Sequence, residues 1–356
     1  MQIRAYVMDL IQHKHLKADD RLPSENELAT QFGVSRITVK HALDSLVEDG
    51  TIYRIQGRGS FVAETGGEPL LYTKQSAAPG SLIAYIAPYL DNSFTARLLN
   101  GIEDELGKSG YKVIFSNSRG SQEKEKQLIR EALALGVAGM LVFPVDGEKY
   151  NEEIVQLTMS GFPIVLIDRD LPGLSTHCVC SDHAGGAYMA TQHLLSLGHQ
   201  AVAFVSASTP STASTEERLA GYEKALADEG IPILHRHRLQ VSRIDDIIAL
   251  LNDNPELTAV FAENSGVGQS VFEAAAKMGR SIPGELSVTF FDDFEFSNLS
   301  KTPPTVIVQE EQAIGMESAK LLISVISSKN PEKQKILLPT RLLQRQSTAS
   351  PPPAKP

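Results

Sequence analysis

The sequence predicts an N-terminal winged helix-turn-helix domain joined to a larger α/β domain of two parallel-sheet, Rossmann-like lobes. Three observations carry that expectation. Two helical patterns meet at Gly33, and a glycine-tipped ribbon pattern, "TIYRIQGRGSFV", follows the second. From Leu82 onward short apolar runs alternate with amphipathic stretches, the signature of parallel strands covered on both faces by helices. The chain has 356 residues, enough for one small and one large domain.

The first stretch, 1–63, holds the small domain. Ile3, Val7, Leu10 and Ile11 keep helical spacing. In "LPSENELATQF", Ser24 can cap a second helix and Glu27 completes an S-x-x-E capping box. Gly33 can end that helix in a left-handed turn, and Ser35 can cap a third helix whose inward face is Val39, Ala42, Leu43 and Leu46. Gly50 stops it. Two short strands, Thr51 to Ile55 and Ser60 to Val62, then flank a Gln-Gly-Arg-Gly tip.

Residues 64–81, rich in Gly, Pro, Ser and Ala, read as a linker. The runs "LIAYIAP", "YKVIFSN", "GMLVFP", "PIVLID", "AVAFVS", "TAVFA" and "SVTFFDD" supply the strands of 82–346. So many units indicate two similar lobes, and ligands of such folds gather at the carboxyl ends of the strands. The ending "STASPPPAKP", 347–356, reads as a disordered tail.

Lys plus Arg total 33 and Asp plus Glu 43, so the formal net charge is 33 − 43 = −10. That balance opposes broad adhesion to nucleic acid but leaves room for a local cationic face. The start "MQIRAYVMDL" carries Arg4 and Asp9 and lacks the apolar core of a signal peptide, and no apolar run reaches membrane-spanning length. Cys178 and Cys180 stand two apart on one strand pattern, which suits neither a usual disulfide nor a secreted framework. A cytoplasmic location is expected.

Helical spacing puts Arg36 and Lys40 on one face beside Thr38 and His41, while Asp44, Glu48 and Asp49 lie toward the far end. A helix entering the major groove by its N-terminal end would keep those carboxylates away from phosphate. Arg54 and Arg58 add charge on the ribbon, and the tip glycines let its backbone approach a groove closely. A solvated cationic helix face would also explain Arg36 and Lys40 taken alone. The segment "LPSENELATQFGVSRITVKHALDSLVEDGTIYRIQGRGSFV" resembles the DNA-binding head of GntR-type regulators over nearly its full length. The resemblance implies contacts to double-stranded operator DNA from Ser35, Arg36, Thr38 and Lys40, and from Gln56, Gly57 and Arg58 at the wing tip.

Residues from about Leu82 to Gln346 resemble the effector domain of LacI/GalR-type repressors, itself similar to periplasmic sugar-binding proteins. The matching pieces include "IAPYLDNSFTARLLNGIEDEL", "IVLIDRDLPG", "ERLAGYEKAL", "TAVFAEN", "SIPGELSVTFFDD" and "TPPTVIVQ". By position, the resemblance implies that Asn92, Ser93, Phe94 and Asp168 line the first lobe. It implies that Arg218, Asn264 and Asp292 face them, with Gln309 near a crossover. A polyol requires such convergent hydrogen-bonding groups, with Arg218 and Asp292 able to grip a hydroxyl pair. Four of these residues also have a plain alternative: Asp292 finishing a strand or capping a helix, Asn92 in an Asx-turn or as a cap, Asp168 in a turn, and Arg218 as a surface cation.

"THCVCSDH" offers His177, Cys178, Cys180 and His183 as metal ligands, but strand alternation points His177 away from the cysteines and the spacing fits no zinc pattern, so no metal and no cofactor are expected. No P-loop, H-E-x-x-H or G-x-S-x-G motif is present. A glycosidase would need paired carboxylates, for which Asp168 and Asp292 are the available candidates; binding is the stronger reading. The sequence thus points to a homodimeric DNA-binding regulator, expected to be a repressor, controlled by a sugar or sugar-like effector. A sugar-binding sensor without a DNA role is the alternative.

Overall fold

A computed structural model of the chain describes residues 2–13, 16–17, 20–48, 51–55, 59–62, 81–90, 93–145, 150–207, 212–295, 297–328 and 331–353. Residues 64–80 of the expected linker and Gln56, Gly57 and Arg58 of the wing tip lie outside them, as does Asn92. In chain order the elements are α1 (Gln2–His13), α2 (Glu25–Phe32), α3 (Arg36–Glu48), β1 (Ile52–Ile55), β2 (Gly59–Val62), β3 (Leu82–Ala87), α4 (Ser93–Lys108), β4 (Lys112–Asn117), α5 (Gln122–Ala134), β5 (Gly139–Val142), α6 (Glu152–Ser160), β6 (Ile164–Ile167) and β7 (His177–Ser181). There follow α7 (His183–Ser196), β8 (Val202–Ala207), α8 (Ala213–Asp228), β9 (Arg238–Val241), α9 (Ile244–Asp253), β10 (Ala259–Ala262), α10 (Ser265–Lys277), β11 (Ser287–Phe291), β12 (Thr305–Val308), α11 (Glu311–Ser327), β13 (Lys335–Leu338) and β14 (Arg341–Leu343).

The head is built as its caps dictate. The Ser24 hydroxyl accepts from the Glu27 backbone N–H, and the Glu27 carboxylate accepts from the Ser24 N–H at 2.7 Å, so the capping box closes. Gly33 at φ 63° ends α2 in a left-handed turn. Ser35 Oγ then accepts from the Thr38 N–H at 3.2 Å and starts α3. Val7, Leu28, Val39, Leu43, Leu46, Ile52 and Val62 form one buried cluster that holds the three helices and the ribbon together. β1 and β2 pair antiparallel with Ile52 opposite Val62, and the Leu22 N–H donates to the Ser60 carbonyl at 2.8 Å.

The α/β part contains two sheets, each 6-stranded, ordered β13-β7-β6-β5-β3-β4 and β14-β12-β11-β10-β8-β9. β3 pairs in parallel with β4 and β5, and β5 with β6. In the second sheet β8 to β12 pair in parallel, while β14 joins β12 antiparallel as an edge. Every residue of β5, β6, β7, β10, β11 and β12 is buried, which is why β5, β6 and β10 read as continuous apolar runs.

The chain divides into two compact units that are interleaved in sequence. One holds Met1–Tyr89, Glu103–Cys178 and Ser318–Lys335; the other holds Leu90–Ile102, Val179–Glu317 and Ile336–Pro356. α4 and α11 each contribute residues to both units.

The expectation of a disordered tail from 347 is corrected through residue 353. Ser347 is fully buried: its hydroxyl donates to the Val288 carbonyl and accepts from the Thr305 N–H at 2.7 Å. The Ala349 carbonyl accepts from Ser287 Oγ at 3.0 Å and lies 2.9 Å from His199 Nε2, and Thr348 Oγ1 lies 2.9 Å from His193 Nε2. A Ser/Thr/Pro-rich segment resembles a solvated tail in composition, yet here its hydroxyls meet polar groups of the second unit's sheet.

These histidines give stability a pH slope. Burial pushes the His177 imidazole down to about 4, with the Lys333 ammonium adding. Burial also lowers His193 and His199; the Ala349 carbonyl partly opposes the shift at His199 and His193 reinforces it. Each native value lies below the unfolded one, about 6.5. The unfolded chain therefore binds more protons below that value, and stability falls as the pH drops from about 6.5 toward 4. The melting temperature is expected to be several degrees lower at pH 5 than at pH 7.5. In His199→Gln, that difference should shrink.

Candidate DNA face and effector site

On α3, Ser35, Arg36, Thr38, Lys40 and His41 are all exposed, while Val39, Leu43 and Leu46 on the opposite stripe are buried. The Arg36 guanidinium lies 3.4 Å from the Glu25 carboxylate with its side chain 67% exposed, a surface pair of little energetic weight. The face is a set of donors held in place from below and open above.

Arg54 requires a correction. Its Nη1 reaches Asp44 Oδ1 at 2.5 Å, and its Nη2 donates to the Lys40 carbonyl at 3.2 Å and lies 3.3 Å from Glu25 Oε1. The guanidinium thus ties the first wing strand to α2 and α3 and is not free for phosphate. Those partners lie distant in sequence, and charge counting along the ribbon could not find them. Gln56, Gly57 and Arg58 lie outside the described residues.

In the second unit, four expected residues stand around the carboxyl edge of the parallel strands. Asn264 follows β10, Asp292 follows β11 and Gln309 follows β12, with Arg218 on α8. The Gln309 amide donates to Asp292 Oδ1 at 2.5 Å. Asp292 takes φ 70°, so the backbone turns sharply where its carboxylate leaves the strand. Arg218 is not a surface cation: it is 7% exposed. Its Nη1 donates to the Glu263 carbonyl at 2.6 Å, its Nη2 lies 3.2 Å from His183 Nδ1, and its guanidinium carbon sits 4.0 Å from the centre of the Phe291 ring.

Two polar atoms in this group, Arg218 Nε and Gln309 Oε1, are buried without a hydrogen-bond partner. A buried donor and a buried acceptor left unmatched are the arrangement a hydroxyl-bearing ligand would complete. Asn264 plays a structural part as well, because its side-chain oxygen caps α10 by accepting from the Val267 N–H at 2.9 Å. Nearby, burial pushes the Glu311 carboxyl up, opposed by its own backbone N–H and by Arg97, with Asp292 and Glu310 adding to the rise.

Sequence reasoning missed Glu263 as an organiser. It is 4% exposed; one carboxylate oxygen accepts from the Ala207 N–H at 2.7 Å and the other from Thr215 Oγ1 at 3.0 Å. It thereby joins the ends of β8 and β10 to the start of α8. A glutamate directly after the apolar run "TAVFA" was the available signal. Asp293 is absorbed structurally by Arg345, at 2.5 Å.

Ser93 and Phe94, expected in the first lobe, instead open α4 within Leu90–Ile102 of the second unit and are half-buried. Asp168 belongs to the first unit, where it ends β6 at φ 67° and is 5% exposed, with Arg169 Nε 3.6 Å from its carboxylate. Burial, with the Asp168 charge adding, pushes the Tyr85 hydroxyl well above its ordinary range. Among the described residues no group of His, Cys, Asp and Glu could hold a metal ion, and no helix is long and apolar enough to cross a membrane.

Comparison with known proteins agrees with this two-part construction. Residues 1–62 match the family described as bacterial regulatory proteins, gntR family, and residues 191–348 match the periplasmic binding protein-like domain. The chain is similar to the arabinose metabolism transcriptional repressor of Geobacillus stearothermophilus, 25% identical over 98% of this chain and 97% of that protein. It is 28% identical to the protein of the same name from Halalkalibacterium halodurans, over 98% and 95% of the two chains. Among solved structures, a LacI family transcriptional regulator from Enterococcus faecium with bound ribose superposes with a TM-score of 0.63 and 28% identity, covering 76% of this chain and 99% of that one.

Proposed function

We propose that this chain, a regulator joining a gntR-family head to a periplasmic-binding-protein-like domain, represses transcription by binding operator DNA and releases it on binding a sugar. The relatives named above are regulators, not enzymes, and the reading requires no catalytic group. The observation that carries it is the pairing, in one chain, of the exposed α3 face with a buried polar cluster holding an unmatched donor and acceptor. Arg36 and Lys40 would meet base edges and phosphates, with Ser35, Thr38 and His41 beside them. Arg218, Asp292 and Gln309 would hold the effector's hydroxyls, together with Asp168, Ser93, Phe94, Asn92 and Asn264. A homodimer would place two heads on a palindromic operator in the bacterial cytoplasm. Pentoses are the first class to examine, because the relatives' names concern arabinose metabolism and one related structure holds ribose.

A genomic selection for bound DNA, followed by titration with L-arabinose, D-ribose and a wider sugar panel, tests both halves. Arg36→Ala is expected to weaken operator binding by about 1–2 kcal/mol, roughly 5–30-fold, with an unchanged melting temperature. Absence of any selected sequence, or operator binding that no sugar alters, would overturn the proposal.

A further inference from the structure

The described strands of the wing carry buried residues on both faces. In the antiparallel ribbon Ile52 lies opposite Val62 and Tyr53 opposite Phe61, so the two pairs project to opposite sides. Ile52 and Val62 fill the head's own core. Tyr53 and Phe61 stack with ring centres 5.5 Å apart, and they are only 3% and 6% exposed. What covers them is the α/β part of the same unit: they form one apolar cluster with Val155 of α6, flanked by Tyr150 and Leu174.

The other partner carries the matching sign. A helix on the outer layer of an α/β unit normally buries one stripe. In α6 the buried residues are Glu152, Glu153, Ile154, Val155, Leu157 and Thr158, which run nearly all round it. Glu152 pairs with Lys126 at 3.2 Å and Glu153 with Arg130 at 2.6 Å, so α5 positions the start of α6 beneath the wing. The exposed DNA face of α3 is not part of this contact.

We propose that the outer aromatic face of the wing is a docking surface for α6, which makes the head a rigid extension of the α/β part of its own unit with its recognition face left open. Movement of that part is then carried to α3 through the Tyr53–Phe61–Val155 contact, without passing through the linker. The link to effector response rests on the function proposed above; the docking itself does not.

The test uses the full chain with a fluorophore on Gln31→Cys, an exposed site on α2; the natural Cys178 and Cys180 are buried. Time-resolved anisotropy of the otherwise unaltered chain, without DNA, is expected to show a single slow rotation, that of the whole protein. A fast component there would overturn the proposal whatever the variants do. Val155→Asp and Tyr53→Ser break the contact from opposite sides, so each guards against misfolding of the other. In a variant that keeps its circular dichroism, a new fast component is expected, and its absence would count against docking. Operator affinity in those variants should stay within about 3-fold, while the sugar-dependent change, typically about 5–150-fold in such systems, should fall to about 1-fold. A loosened head with an intact sugar response would refute the transmission role and leave the docking standing. Slow rotation with no sugar response in any form would instead sink the effector reading.

Discussion

Replacing Arg218 with methionine is expected to weaken sugar binding by about 10–150-fold, the loss of a charge-assisted hydrogen bond worth roughly 1.5–3 kcal/mol to the ligand. The guanidinium is fastened on three sides, by the Glu263 carbonyl, His183 and the Phe291 ring, which leaves Nε as its one nitrogen without a partner. Methionine keeps much of the volume and so limits any cavity. Some stability should still be lost, because the Glu263 carbonyl gives up a charged donor. Calorimetric titration with the sugar found in the panel, beside a thermal melt, separates the two effects. Wild-type affinity with only a lowered melting temperature would show Arg218 to be a strut. Arg218→Lys should rescue little, since an ammonium cannot span the same partners or lie flat on Phe291 in the same way.

Substituting Gly101 by valine is expected to destabilise the second unit by about 3 kcal/mol. α4 and α11 cross at two glycines. A Cβ at Gly101 would lie 2.1 Å from the Gln312 carbonyl oxygen, and one at Gly315 would lie 2.2 Å from that of Leu98. Both obstacles are helix backbone, which cannot rotate away as a side chain can, so the helices must separate and give up their packing. Gly107 in the same helix has nothing within 4 Å of its Cβ position. Gly107→Ala should therefore be neutral or stabilise by up to about 1 kcal/mol, the helix-propensity gain. Urea unfolding of both variants checks the pair, and an unchanged midpoint for Gly101→Val would show that the crossing relaxes freely.

The head was legible because its signals are local. Ser24 with Glu27, Gly33, and the Val39-Leu43-Leu46 stripe act over a few residues and fold as their spacing requires. The same holds for the buried strands, whose unbroken apolar runs reflect cover on both faces. Residues that end those strands, such as Asp168, Asp292 and Gln309, could be placed from topology and family likeness.

What escaped reading is long-range. Arg54 is claimed by Asp44 and Glu25, Glu263 by Ala207 and Thr215, and the tail by Ser287 and Val288. Tyr53 and Phe61 look like ordinary ribbon residues until Val155 arrives from a helix roughly a hundred positions later. The amino-acid order alone determined which segments are helix or strand and which face of each is apolar, since periodicity and capping act within a turn or two. Tertiary structure alone decided which polar side chains are used up inside the fold and which remain for DNA or a sugar. A donor's availability depends on partners that packing brings from distant parts of the chain, and no local pattern encodes them.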